Sequence, residues 1–285
     1  MRVFSRARLP PLLRAIHDPP ARLYVRGGGG NELLARPAVA IVGARACSPY
    51  GALVARMLGR ELAAAGLVVV SGLARGIDGE VHRGALAADG ATVAVLGCGI
   101  DRDYPAAHAR LADEIRAHGL VVSEYPPGTE PAPWRFPARN RIIAGLCAAT
   151  VVVEARARSG ALITADFALE EGRDVLAVPG EITSALSAGT NALLRLGATP
   201  ATSAQDVLEL FGLTMPERAP PRIDGPAGRV LGALPGSADD VARATGLSAA
   251  AVAAALAELE LAGLAAEGAG TWRSTSTASA SPANA

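Results

Sequence analysis

Lysine is absent from this chain: all 27 basic side chains are arginine, matched by 27 aspartates and glutamates, so the formal net charge is zero. Without lysine there is no phosphate-binding P-loop of the usual kind. Without net charge there is no global field to draw in a polyanion, and any nucleic-acid binding has to come from a local patch. Arginine suits such a patch, because its planar fork meets a phosphate through two hydrogen bonds. Cysteine is scarce too. Cys47, Cys98 and Cys147 are odd in number, far apart and in no metal-ligand spacing, so they read as buried free thiols of a reducing cytosol. His17, His82, His108 and His118 are equally scattered, and no metal site is expected. No apolar run approaches the length that spans a bilayer. Residues 1–11 carry arginines with no apolar stretch behind them, unlike a secretion signal. A soluble, cytoplasmic protein is expected, with no membrane partner.

What the chain does have is rhythm. Short apolar runs at 39–43, 67–71, 92–97, 120–123, 150–154 and 175–179 lack polar alternation, as strands buried on both faces do. Helical stretches at 51–65, 77–88, 106–117, 161–171 and 191–196 separate them. This order predicts an α/β domain over 38–212, an extended Rossmann-like fold with a mainly parallel sheet. Residues 1–37 read as an irregular arm, with a short helix around Leu12, Leu13 and Ile16 and a short strand at Leu23-Tyr24-Val25.

In such sheets ligands sit where strands end and helices begin. Here nearly every strand runs into a glycine turn: Gly43-Ala44-Arg45, Ser71-Gly72, Gly97-Cys98-Gly99, Ser159-Gly160 and Pro179-Gly180. Glycine lets backbone approach an anion, and the following helix offers free amides. Each turn taken alone is ordinary turn chemistry. Arg45 is less easily explained as structural, because it stands at the mouth of the strand beginning at Val39. The dinucleotide fingerprint is missing: Gly43-Ala44-Arg45-Ala46-Cys47-Ser48 is not G-x-G-x-x-G, and no acid closes the second strand. No nicotinamide, flavin or other cofactor is expected. Asp78 reads as a residue that caps or starts a helix, His82 as a partly buried structural residue, and His118 as a helix C-terminal residue.

The densest chemistry lies in Trp134-Arg135-Phe136-Pro137-Ala138-Arg139-Asn140-Arg141-Ile142-Ile143-Ala144-Gly145. Pro137 disfavours the α region for Phe136, which predicts an extended Phe136 and a helix starting at Ala138. Arg139, Asn140 and Arg141 would then crowd the positive end of a helix dipole, an arrangement that an anion would explain. Between Pro131 and Arg158 five arginines (Arg135, Arg139, Arg141, Arg156 and Arg158) face one acid, Glu154. A ring beside such charge suits single-stranded nucleic acid, with stacking for a base and cations for the backbone. A core phenylalanine with a surface spray of arginines is the plainer alternative.

Beyond Leu213 the rhythm breaks. Residues 213–227 are proline-rich and read as a linker, and 228–273 read as a small winged-helix domain. Its would-be recognition helix, 249–261, is mostly alanine and leucine with Glu258 and Glu260, so protein contact or scaffolding is expected of it rather than DNA reading. The tail, 274–285, has the Ser/Ala-rich composition of disorder.

Taken together, the motifs resemble the DNA-processing protein A family (DprA, also called Smf). They are Ala40-Ile41-Val42-Gly43-Ala44-Arg45, Val70-Ser71-Gly72-Leu73-Ala74-Arg75-Gly76-Ile77-Asp78, Tyr104-Pro105, Phe136 to Gly145, Ser159-Gly160-Ala161-Leu162, Ala177-Val178-Pro179-Gly180 and Gly189-Thr190-Asn191. The resemblance runs from about Leu9 to Ala198. It implies a non-enzymatic protein that binds single-stranded DNA and helps load RecA onto it in natural transformation and homologous recombination. It also implies a homodimer. Carried over, it assigns phosphate contact to Arg45, Ser159 and Gly160. Phe136, Arg139, Asn140 and Arg141 become the DNA pocket, with Phe136 stacking on a base, and Gly72, Gly180 and Asn191 join as weaker members. Some positions depart from the family pattern. Ala161 stands where a second serine is usual, His108 where asparagine is usual and Val81 where alanine is common. The arm is too short for the helical domain that members often carry before the Arg45 motif. The alternative of another class is a nucleotide phosphoribohydrolase-like enzyme using Glu124 or Glu154, although Pro179-Gly180-Glu181-Ile182-Thr183 does not supply that group's glycine loop.

Overall fold

A computed structural model of the chain describes residues 1–215, 223, 225–261, 264–268 and 270–274. The chain divides into two compact units, Met1–Pro216 and Glu217–Ala285. Residues 216–222 and 224 of the expected linker, and 275–285 of the expected tail, lie outside the described residues.

The first unit begins with β1 (Arg2–Ser5), α1 (Pro11–Arg14) and β2 (Arg22–Arg26), followed by β3 (Ala38–Val42), α2 (Pro49–Ala64), β4 (Val68–Ser71) and α3 (Ile77–Ala87). It continues through β5 (Thr92–Leu96), α4 (Ala109–His118), β6 (Leu120–Ser123) and α5 (Arg135–Gly145). β7 (Ala149–Val152), α6 (Gly160–Glu170), β8 (Asp174–Ala177), α7 (Ala188–Arg195), β9 (Thr199–Pro200) and α8 (Ala204–Glu209) complete it. The strands make one sheet of nine in the order β1-β2-β6-β5-β4-β3-β7-β8-β9. From β6 to β9 every pairing is parallel, while β2 joins β6, and β1 joins β2, antiparallel.

Alternate residues of each central strand serve two cores. Val39 and Ile41 pack with Leu58 and Leu62 of α2 and Val81 of α3 on one face. Ala38, Ala40 and Val42 pack with Ile142 and Ile143 of α5 and Ala165 of α6 on the other. Ile41, Leu58 and Leu62 are fully buried, and each contributes about 1.5–3 kcal/mol relative to exposure. Burial on both faces is the reason these strands read as unbroken apolar runs.

The structure departs from the sequence expectation in the arm and at Phe136. The expected short helix and the strand at Leu23-Tyr24-Val25 are present as α1 and β2, but the arm as a whole is not irregular: β1 and β2 extend the sheet, and Leu9, Leu13 and Ile16 enter its core. β2 pairs with β6, about a hundred residues away, so its place in the sheet has no local signal. Phe136 is not extended either. α5 starts at Arg135, putting Phe136 and Pro137 in the first turn. Proline is tolerated there because the N–H it lacks would have had no helical partner.

Among the thiols, Cys98 and Cys147 are buried and Cys47 is half-buried, all free. His82 is wholly buried, its Nδ1 2.8 Å from the Thr92 hydroxyl. Asp78 lies in the first turn of α3, where the sequence placed it; its carboxylate does not cap that helix but accepts from the Gly72 and Ala74 amides, each at 3.2 Å, and closes the turn after β4.

The second unit contains α9 (Gly225–Gly232), α10 (Ala238–Thr245), α11 (Ala249–Leu261), β10 (Ala265–Gly268) and β11 (Thr271–Ser274). Its helix, helix, turn, helix, hairpin order is that of a winged helix. A capping box between Ser237 and Asp240 starts α10, and Val230, Val241, Val252, Leu256 and Leu259 form the core. Among the described residues, no single helix of either unit is long and apolar enough to cross a membrane.

Candidate functional site

Strand order fixes where a ligand can enter. Chain direction sends β3, β4, β5 and β6 one way across the sheet, whereas β7, β8 and β9 continue the other way from β3. The loops leaving β3 and β7 therefore diverge, and a crevice opens outside their carboxyl ends, the usual binding place of such sheets. Two adjoining cavities, of about 300 Å³ and about 400 Å³, lie at this edge. Both are bordered by Arg45, Phe136 and Arg139.

Arg45, on the loop after β3, is exposed and holds its guanidinium over the Phe136 ring, 5.3 Å from the centroid. Phe136 also stacks on Tyr104, at 5.1 Å with 26° between ring planes, and Tyr104 is still 42% exposed. Arg156 and Arg158, on the loop after β7, line the smaller cavity, and Arg75, after β4, lines the larger. Arg45, Arg75, Arg156 and Arg158 are all exposed, and among the described residues none has an ion-pair partner. Four unpaired cations around one crevice give the local field that the neutral chain as a whole lacks.

Ser159 caps α6, its hydroxyl accepting from the Ala161 amide at 3.3 Å. Gly160 is exposed at the first helical position, and no heavy atom would lie within 4 Å of an added Cβ. Its amide is one of the donors left without an intrahelical acceptor and stands at the positive end of the helix dipole. Asn140 fixes this terminus from α5, donating to the Gly160 carbonyl at 3.0 Å.

Arg139 has a different role from the exposed arginines. It is buried, donates to the carbonyls of Gly72 (2.6 Å) and Val95, and donates to the Asn140 side chain at 3.2 Å. Burial pulls its pKa down to about 10, and burial likewise pushes the Asp78 carboxyl up. Both shifts run toward the neutral forms, so at 3.9 Å the mutual attraction does not offset desolvation, and backbone hydrogen bonds hold the pair. Arg139 thus ties the turn after β4 and the end of β5 to α5. Gly72 belongs to the same knot, since a Cβ there would stand 2.2 Å from the Arg139 guanidinium.

The remaining sequence candidates lie away from both cavities. Arg141 turns to Glu124, with two hydrogen bonds of 2.8 and 2.7 Å, and to Asp18 at 2.9 Å. Gly180 and Asn191 bond to each other, through the Gly180 amide at 3.3 Å and the Gly180 carbonyl at 3.0 Å. Glu124 and Glu154, the carboxylates that a phosphoribohydrolase reading needs, line neither cavity; Glu154 is held by Ser48. Sequence reasoning did not place Arg75, Tyr104, Arg156 and Arg158 at the site. The signal was available: Arg75 and Tyr104 lie inside motifs that carry the family resemblance, and Arg156 and Arg158 belong to the local arginine excess.

Comparison with known proteins fits this geometry. Residues 1–212 match the family described as DNA recombination-mediator protein A, and residues 198–271 match the DprA winged helix domain. The chain is 50% identical over 199 residues to the DNA processing protein DprA of Streptococcus pneumoniae, covering 70% of each chain. The crystal structure of DNA processing protein A from that organism superposes with a TM-score of 0.70 at 48% identity, covering 73% of each chain. DNA processing protein A from Helicobacter pylori, whose structure was solved for insight into its single-stranded DNA binding mode, superposes with a TM-score of 0.67 at 31% identity, covering 74% of this chain and 96% of that one.

Proposed function

The chain belongs to the DNA recombination-mediator protein A family, and on that premise we propose that it binds single-stranded DNA along the crevice outside β3 and β7. The observation that carries this reading is the set of four exposed arginines, Arg45, Arg75, Arg156 and Arg158, without carboxylate partners among the described residues. They border two adjoining cavities divided by a ring.

In this reading the backbone phosphates lie along Arg45, Arg156, Arg158 and the Gly160 amide, with Arg75 serving the next phosphate. A base stacks against the aromatic surface of Phe136 and Tyr104, which every base can use because every base has a π-face. Asn140 and Arg139 position the turns, and the carry-over of direct DNA contact to Arg141 gives way to a bracing role through Glu124 and Asp18. A duplex is disfavoured because its stacked bases present no free face to the rings. No step in this scheme breaks a covalent bond. The bound strand is shielded, and its transfer to RecA recombinase during homologous recombination and natural transformation is the role that family membership favours. A homodimer would offer two such crevices to one strand.

Fluorescence anisotropy of a labelled single-stranded oligonucleotide, with its duplex as control, tests the reading. Preference for the single strand, weakened by Arg45→Ala and by Arg156→Ala, supports it. Equal or absent binding of both forms sinks it. A strand-exchange assay in which RecA must displace single-strand binding protein then tests the loading step.

A further inference from the structure

A third cavity of about 630 Å³ opens in the same unit and shares no lining residue with the two arginine cavities. Its chemistry is the reverse of theirs. No arginine lines it, and Glu154 and Glu181 do. Glu154 is only 5% exposed, and its hydrogen bonds all come from Ser48: the amide at 2.9 Å on one oxygen and the hydroxyl at 2.5 Å on the other. Among the described residues no cation pairs with it. A carboxylate has about four acceptor positions, so two remain open, and a buried anion without a counter-charge is costly.

Three further features point at the same ligand. Ser187 lines the cavity and is 7% exposed, and its hydroxyl makes no hydrogen bond among the described residues. Glu181 is exposed and adds a second negative charge. Tyr50, at the start of α2, is 53% exposed and brings an aromatic surface to the lining. Open carboxylate positions call for charged N–H donors, an aromatic face attracts a cation, and a free hydroxyl accepts a further N–H. A phosphate would meet two negative charges and no arginine.

We propose that this cavity binds a small organic cation carrying an ammonium or guanidinium group, with Glu154 as its buried counter-charge. The site is independent of the DNA crevice, so the protein would hold a polyanion and an amine on separate surfaces of one sheet edge.

Isothermal titration calorimetry of the full chain without DNA tests this, with agmatine as the guanidinium probe, putrescine as the ammonium probe and inorganic phosphate as the anionic control. Saturable binding of one agmatine or one putrescine per chain is expected. Glu154→Gln, which keeps the shape and removes the charge, should weaken it about tenfold, the loss of one charge-assisted hydrogen bond. Tyr50→Ala and Glu181→Gln, at exposed positions that leave folding intact, should each weaken it severalfold. Absence of saturable binding by both amines overturns the proposal, and so does unchanged affinity in Glu154→Gln. Should Glu154→Gln fail to fold, unchanged affinity in both other variants overturns it. Single-strand binding is scored separately, so neither reading rescues or sinks the other.

Discussion

Arg139 holds a guanidinium nitrogen 3.9 Å from a carboxylate oxygen of Asp78, and both side chains are less than a tenth exposed. Between them they accept or donate hydrogen bonds at four backbone positions: the Gly72 amide and carbonyl, the Ala74 amide and the Val95 carbonyl. This buried knot gives Arg139 a structural role at the border of both cavities.

Arg139→Ala should therefore act on folding first. It strands a buried carboxylate and two buried carbonyls, and roughly 3–5 kcal/mol of stability should go. Urea denaturation would show this as a lowered midpoint. A variant that binds DNA poorly yet keeps the wild-type midpoint would contradict the structural role.

Arg45, Arg156 and Arg158 should behave in the opposite way. They are exposed and unpaired among the described residues, so single alanine variants should keep wild-type melting. Each should flatten the dependence of log affinity on log salt by roughly one unit of slope, the signature of one lost phosphate contact. Titrations of a labelled oligonucleotide at several salt concentrations would read this directly. A slope equal to the wild type's would remove that arginine from the interface.

The two glycine turns separate folding from access. Gly72→Ala forces a Cβ to within 2.2 Å of the Arg139 guanidinium and should lower the melting temperature. Gly160→Ala meets nothing within 4 Å and should melt as wild type. It should still bind single-stranded DNA severalfold more weakly, because a methyl group would then stand beside the helix amide.

Ring removal tests the stacking platform. Phe136→Ala and Tyr104→Ala should each cost about 1–3 kcal/mol of binding if a base stacks there. Tyr104→Phe should keep most of the affinity. Loss in Tyr104→Phe equal to that in Tyr104→Ala would assign the effect to the hydroxyl instead.

Acid should destabilise the main unit through His82. Burial lowers its pKa from 6.5 to about 3. The unfolded chain then takes up a proton below pH 6.5 that the folded chain refuses until about pH 3. Stability is fully present above pH 6.5 and falls as pH drops through that window, by at most about 1.4 kcal/mol per pH unit. Urea midpoints at pH 7.5 and pH 5 should differ in the wild type and converge in His82→Gln. Equal acid sensitivity in both proteins would place the effect elsewhere.

The Arg45 turn and the parallel sheet were legible in the sequence because their signals are local. Apolar runs of strand length, glycine at each strand exit and helical periodicity between them all act within a dozen residues. The switch crevice follows from the same order once β7 is known to pair beside β3. Arg139 and Arg141, by contrast, look alike in the sequence, and nothing local separates them from Arg156 and Arg158.

Only the tertiary structure made that division. Arg139 is spent on carbonyls 67 and 44 residues away, and Arg141 on carboxylates 17 and 123 residues away. Arg156 and Arg158 have no such partners among the described residues. Whether an arginine is a brace or a ligand depends on burial and on distant counter-charges, neither of which residue type or spacing can encode. The same holds for β2, whose partner β6 lies about a hundred residues on, and for Phe136, which sits in the first turn of α5 against the local bias of Pro137. The sequence by itself determined the frame and the place where a ligand enters. Long-range packing decided which side chains are left to meet it.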